Sequence, residues 1–252
     1  MTGLDLNHRI DGPGDAPWLV LSNSLGASLE MWDRNVPELA EHFRVLRYDQ
    51  RGHGGSPVPP GPYSIDDFGR DVIALMDRLE IERASFCGLS LGGMTGLWLA
   101  SEAPERIERL IPACASAYVG APEIWEERIA AVEAGGVEAV ADATLGRWLT
   151  DDADEQTREF LRGQLVGTPR DGYAAGAAAV RDLDLRDQLR SISAPTLVIT
   201  ADQDLSIPPE HGEAIAAAIP GARLTMLENA RHLANVERPE AFNRAVIDFL
   251  SG

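Results

Sequence analysis

Short apolar runs alternate with longer stretches of helical period along most of the chain, and this alternation is the strongest constraint on its fold. The runs are WLVLSN (18–23), FRVLRYD (43–49), ASFCGL (84–89), IERLIPAC (107–114), TLVIT (196–200) and ARLTMLE (222–228). Between them lie segments such as SIDDFGRDVIALMDRLE (64–80), where Ser64 is placed to cap a helix and Phe68, Val72, Leu75, Met76 and Leu79 share one face. Strands alternating with helices predict a mostly parallel sheet covered on both faces, because each helix must bury its apolar stripe against the sheet. LDLNHRID (4–11) alternates apolar and polar residues instead, and predicts an antiparallel edge strand.

Residues 116–193 break the rhythm. They hold no convincing strand but several amphipathic stretches, including EIWEERIAAVEAGG, VEAVADATLGRWL and DEQTREFLRGQL. Their apolar residues recur at helical spacing, without the Pro/Gly/Ser bias of a linker. The expected organisation is therefore an α/β core of residues 1–115 and 194–252 carrying a helical cap of residues 116–193. With 252 residues, 44% of them hydrophobic, there is enough chain for one such domain and little for a second.

The formal charge of −18 disfavours nucleic acid and anionic membrane surfaces, both of which call for a basic footprint. All 22 positive charges are arginines. Without lysine there is no Schiff-base chemistry and no Walker phosphate loop. Cys87 and Cys114 lie in apolar runs with no C-x-x-C spacing and read as core residues. No run approaches the roughly 20 apolar residues of a membrane span, and the N-terminal stretch lacks a basic segment followed by an apolar one. A soluble, cytoplasmic protein is expected.

The chemistry concentrates around FCGLSLGGMTG (86–96). Here a strand runs into Gly88-Leu-Ser90-Leu-Gly92 and then into a helix. A sharp strand-to-helix turn strains the serine backbone, exposes its Oγ at the carboxyl edge of the sheet and frees the Leu91 amide at a helix N-terminus, where it can stabilise an oxyanion. A nucleophilic serine needs a base, and the base an orienting acid. Of five histidines, His232 follows the last strand and precedes the last helix, at the sheet end where Ser90 emerges. His53 also leaves a strand at that edge but precedes the serine, so it reads as a structural loop residue, and His211 reads as a solvated first-turn residue. For the acid, TADQDLSIPPE offers Asp204, fixed in a turn ahead of Pro208, with Asp202 as the fallback. The order is then Ser90, Asp204, His232. Leu25, in the SNSLGAS loop after the WLVLSN strand, is the candidate for the second oxyanion amide.

Together NSLGASLEMWD, RYDQRGHGGSPVPPGPYSIDD, FCGLSLGGMTGLWLA, PPEHGEAIAAAIPGARL and NARHLANVERPEAFN resemble the α/β-hydrolase superfamily and, more narrowly, the 3-oxoadipate enol-lactonases of bacterial aromatic-acid degradation. The resemblance implies an eight-stranded, mostly parallel sheet with a helical cap inserted after strand 6. It also implies a triad of Ser90, Asp204 and His232, with oxyanion amides at Leu25 and Leu91. Two features depart from the family: Ala201 stands where a glycine is usual before the acid, and IPACASAYVGAPEIW opens the cap with less polar residues.

The implied reaction is hydrolysis of 3-oxoadipate enol-lactone to 3-oxoadipate through an acyl-enzyme, with no metal or organic cofactor. The expected partner is a small lactone or ester, and a homo-oligomer is left open. Such a lactone carries a carboxylate, so a local arginine is expected despite the acidic surface. Arg128 and Arg147 are the candidates, with Trp125 and Trp148 as pocket walls. A carboxylesterase, a perhydrolase or a carbon–carbon bond hydrolase would use the same three residues on another acyl group. A non-catalytic lactone receptor on this scaffold is the alternative from a different class, and multiple turnover of an aryl ester separates it from an enzyme.

Overall fold

The computed structural model describes residues 3–252. One sheet contains β1 (His8–Asp11), β2 (Trp18–Ser22), β3 (Arg44–Tyr48), β4 (Ala84–Leu89), β5 (Ile107–Ala113), β6 (Leu197–Ala201) and β7 (Arg223–Leu227), in the order β1-β3-β2-β4-β5-β6-β7. β1 runs antiparallel to β3, with His8 opposite Tyr48, and the other neighbours are parallel. β4 lies at the centre and every one of its residues is buried, which is why ASFCGL shows no polar alternation. All six parallel strands therefore deliver their following loops to the same edge, where open α/β sheets bind ligands.

The helices are α1 (Val36–Leu39), α2 (Ile65–Arg78), α3 (Leu91–Glu102), α4 (Pro122–Gly135), α5 (Glu138–Trp148), α6 (Glu155–Gly167), α7 (Arg170–Arg181), α8 (Pro209–Ala218), α9 (Ala234–Glu237) and α10 (Pro239–Ser251). α2 starts where expected. Ser64 Oγ accepts from Asp67 N at 3.3 Å and Asp67 Oδ2 accepts from Ser64 N at 2.9 Å, a reciprocal cap that satisfies two otherwise free donors. Phe68, Val72, Leu75 and Met76 are buried beneath it. Both cysteines are buried and unpaired.

Two expectations about the sheet need correcting. Among the described residues it has seven strands, not eight, and the helical insertion follows the fifth. The cause lies at the N-terminal edge. LDLNHRID pairs only from His8: the Asn7 carbonyl still accepts from Asp49 N at 2.8 Å in the same register, but its amide is diverted to Ser56 Oγ at 2.9 Å. After Asp11 the chain turns at Gly12 and passes directly into β2, leaving no room for another strand.

Helices α4–α7 occupy the interval between β5 and β6. The chain leaves the sheet after Ala113 and returns in the neighbouring strand, where Ala113 pairs with Ile199 and Cys114 N donates to Ile199 O at 2.8 Å. An insertion whose ends lie side by side can be long without disturbing the sheet. No helix among the described residues is long and apolar enough to cross a membrane.

Candidate active site

The turn between β4 and α3 is strained as the sequence suggests. Ser90 has φ 57° and ψ −118°, and is held by its amide donating to Ala113 O at 2.9 Å and its carbonyl accepting from Met94 N at 2.9 Å. The flanking glycines are sterically required. A Cβ on Gly88 would stand 2.1 Å from Gly92 O, and one on Gly92 would stand 2.3 Å from Ser22 O. Only bare backbone lets α3 start this close to β2 and β4.

Beside the turn, the loop after β2 is braced from several sides. Asn23 O accepts the Gly92 amide at 2.9 Å and also the Gln50 side-chain amide. The Asn23 side chain donates to Tyr48 O at 2.8 Å and accepts from Trp32 Nε1 at 2.9 Å. Gly26 takes φ +83° and closes the turn with Ala27 N on Ser24 O. The amides of Leu25 and Leu91 donate to no group among the described residues, so two backbone N–H groups are left for a ligand. Gln50 escaped the sequence reading, since nothing local distinguishes it from any polar loop residue.

Asp204 and His232 meet as buried partners. His232 Nδ1 donates to Asp204 Oδ2 at 2.8 Å, and Asp204 Oδ1 accepts the amides of Ser206 at 2.7 Å and Ile207 at 3.0 Å. The carboxylate is thus fixed by its own turn before it orients the ring. The histidine loop is tied to the insertion as well: Leu233 N donates to Trp148 O at 3.1 Å, and Glu237 accepts from Arg231 N at 2.7 Å and from Thr150 N at 2.8 Å. Asp202, the fallback acid, is exposed and accepts from Ala230 N at 3.2 Å instead.

Ser90 and His232 face one cavity of about 620 Å³ without a direct hydrogen bond between them. Such contacts often tighten only when substrate is bound. The sequence-predicted Leu25, Trp125, Arg128, Arg147 and Trp148 all line the same cavity. Arg128 lies over Trp125, 5.3 Å from the ring centre, and donates to Thr144 Oγ1 at 2.8 Å. Arg147 reaches the same hydroxyl at 3.4 Å. Neither arginine pairs with an acid among the described residues. Burial, and then the charge of Arg128, pull the Arg147 pKa below its ordinary value, although an arginine stays charged throughout the working range. Two neighbouring cations, neither in contact with an acid although Glu127 lines the same cavity, make a place for an anion.

The remaining histidines divide. His53 is fully buried outside this cavity, its Nδ1 2.9 Å from Arg51 O, in keeping with a structural loop residue. Burial holds its pKa below the ordinary value. His211 departs from its expected solvated position: it lines the cavity, half-buried, with Nδ1 2.8 Å from Ser116 Oγ. No group of three or more His, Cys, Asp or Glu side chains among the described residues is arranged to hold a metal ion.

Comparison with known proteins gives the same architecture. The family described as the alpha/beta hydrolase fold matches residues 17–174. "3-oxoadipate enol-lactonase 2" of Acinetobacter baylyi is 41% identical over 96% of this chain and 91% of its own length. The crystal structure of the enol-lactonase from Burkholderia xenovorans LB400 superposes with a TM-score of 0.96 at 46% identity, covering 99% of this chain and 97% of that one. At lower identity, 32% over 96% of this chain and 95% of its own length, stands a protein of Rhizobium rhizogenes that carries the name "Putative carbamate hydrolase RutD".

Proposed function

The chain belongs to the α/β-hydrolase family and is a hydrolase of carboxylic ester bonds, and from that premise we propose that it opens lactones, with 3-oxoadipate enol-lactone as its substrate and 3-oxoadipate as the product. In this reading Ser90 Oγ attacks the lactone carbonyl while His232 takes its proton, and Asp204 holds the imidazole in the tautomer that can do so. The developing oxyanion lies between the Leu25 and Leu91 amides. His232 returns the proton to the ring oxygen as the carbon–oxygen bond breaks, then activates the water that releases the acyl group. The leaving oxygen of an enol-lactone becomes an enol, and its conversion to a ketone draws the reaction forward.

The observation that carries the substrate is the pair Arg128 and Arg147, unpaired with acid and lining the cavity of Ser90 in a chain of net charge −18. A neutral ester has no use for two half-buried cations on the cavity wall, whereas the free carboxylate of the enol-lactone does. Trp125 and Trp148 supply the apolar walls for the ring. The similarity to proteins named enol-lactonases supports the same substrate.

The test is a comparison of kcat/KM on 3-oxoadipate enol-lactone, a neutral aryl ester and a carbamate, each followed by absorbance. The reading predicts that the anionic lactone is preferred over both by at least about a hundredfold, the scale of one hydrogen bond to a charged group. A carbamate or neutral ester turned over as well as the lactone would discard the substrate while leaving the reaction type.

A further inference from the structure

We propose that His211 contacts the substrate in a step that only a cyclic ester creates: its Nε2 accepts a hydrogen bond from the hydroxyl that ring opening leaves tethered to the acyl-enzyme. The proposal rests on the lactonase reading above.

When an open-chain ester acylates a serine, the alcohol departs. In a lactone the bond from Ser90 Oγ to the acyl carbon forms and the ring carbon–oxygen bond breaks, with the Oγ proton passing through His232 to the ring oxygen. That oxygen stays attached to the acyl chain as a hydroxyl beside the new ester, in the enol-lactone an enol until it converts to the ketone. It can return its proton to His232 and attack the acyl carbon again, since intramolecular closure carries a high effective concentration. Water enters only when the hydroxyl has moved aside. An acceptor in the cavity wall that holds it there favours hydrolysis over closure.

His211 is built for that contact. It stands in the first turn of α8, a few residues beyond Asp204, and lines the cavity that Ser90 and His232 face. Its ring is fixed by Ser116, which is 1% exposed. Ser116 Oγ lies 2.8 Å from Tyr118 O, 3.0 Å from Tyr118 N and 2.8 Å from His211 Nδ1. Tyr118 O can only accept, so it takes the single hydroxyl proton. The oxygen then accepts from the Tyr118 amide and from Nδ1–H of His211, and every donor and acceptor in the group is met. The neutral ring is therefore protonated on Nδ1, and Nε2 is left with a bare lone pair. Nε2 bonds no group among the described residues and is not a fully buried atom, on a residue that lines the cavity. Of the other basic side chains on the cavity wall, Arg128 and Arg147 can only donate and His232 is occupied with the reacting proton.

The experiment uses dihydrocoumarin, an aryl lactone, beside phenyl propanoate, an open ester with the same kind of leaving group. The readout is the ratio of kcat on the lactone to kcat on the ester. His211→Phe keeps a ring of similar size but has no acceptor, and the ratio is expected to fall about three- to tenfold, the worth of one neutral hydrogen bond. His211→Gln presents an amide oxygen and is expected to restore most of it. A ratio unchanged in His211→Phe, whether because both rates fall together or because neither moves, overturns the proposal while the lactonase reading stands. A wild-type protein that cleaves phenyl propanoate but neither dihydrocoumarin nor the enol-lactone removes both.

Discussion

Asp204 holds His232 through a 2.8 Å contact between Oδ2 and Nδ1 while its other oxygen is committed to two backbone amides of its own turn. The acid is therefore pinned before it orients the base. In Asp204→Asn the amide oxygen can still satisfy the turn, but the NH₂ group then faces Nδ1 and forces the proton to Nε2, the wrong tautomer for accepting from Ser90. We expect kcat to fall on the order of 10³–10⁴-fold with an unchanged fold, measured by steady-state kinetics and circular dichroism.

The loop presenting the Leu25 amide depends on Gln50, whose side chain donates to Asn23 O. Gln50→Leu removes that brace and leaves Asn23 O to the Gly92 amide alone. The expected result is a kcat lower by about tenfold with KM little altered, because an oxyanion donor acts mainly in the transition state. A change confined to KM would contradict the assignment.

Arg128 and Arg147 are expected to set affinity for an anionic substrate. Arg147→Ala should raise KM for the enol-lactone about ten- to a hundredfold, and the double variant with Arg128→Ala further. KM for a neutral aryl ester should move far less. Equal effects on both substrates would mean that the arginines support the cavity wall and not the carboxylate.

Gly88→Ala would set a methyl 2.1 Å from Gly92 O, with backbone on both sides and nothing to rotate away. A loss of about 3 kcal/mol in unfolding free energy is expected from denaturant titration, together with loss of activity as the Ser90 turn shifts. An unaffected midpoint would show that the turn has more slack than this contact allows.

His53 is buried with its pKa held below 6.5 by desolvation, so the unfolded chain binds its proton first as pH falls. Stability from this residue is full above 6.5 and declines as pH drops from there towards the folded-state pKa. His53→Phe should therefore lose less Tm than wild type between about pH 7.5 and about pH 5.5, on either side of the ordinary histidine pKa, with the other histidines common to both. A parallel decline in the two proteins would contradict the burial effect.

What the sequence made legible was mostly local. Ser90 between its glycines announces a strained turn because strand, turn and helix are contiguous, and Asp204 and His232 follow from where strands end. The Arg128 and Arg147 placement came from their apolar surroundings and from the charge a lactone would need. What escaped depends on contacts distant in sequence. His211 looks solvated until Ser116, 95 residues earlier, is brought against it, and Gln50 looks like any loop residue until it reaches Asn23. The N-terminal strand is shorter than its alternation suggests because Asn7 gives its amide to the Ser56 hydroxyl, a partner that periodicity cannot reveal.

Ser90 is expected to be the nucleophile toward an anionic lactone. This is tested most directly by the rate at which the purified protein consumes 3-oxoadipate enol-lactone, measured beside Ser90→Ala. Efficient turnover is expected, falling by on the order of 10⁴-fold or more in the variant. A Ser90→Ala protein that retained a substantial part of the wild-type rate would contradict it.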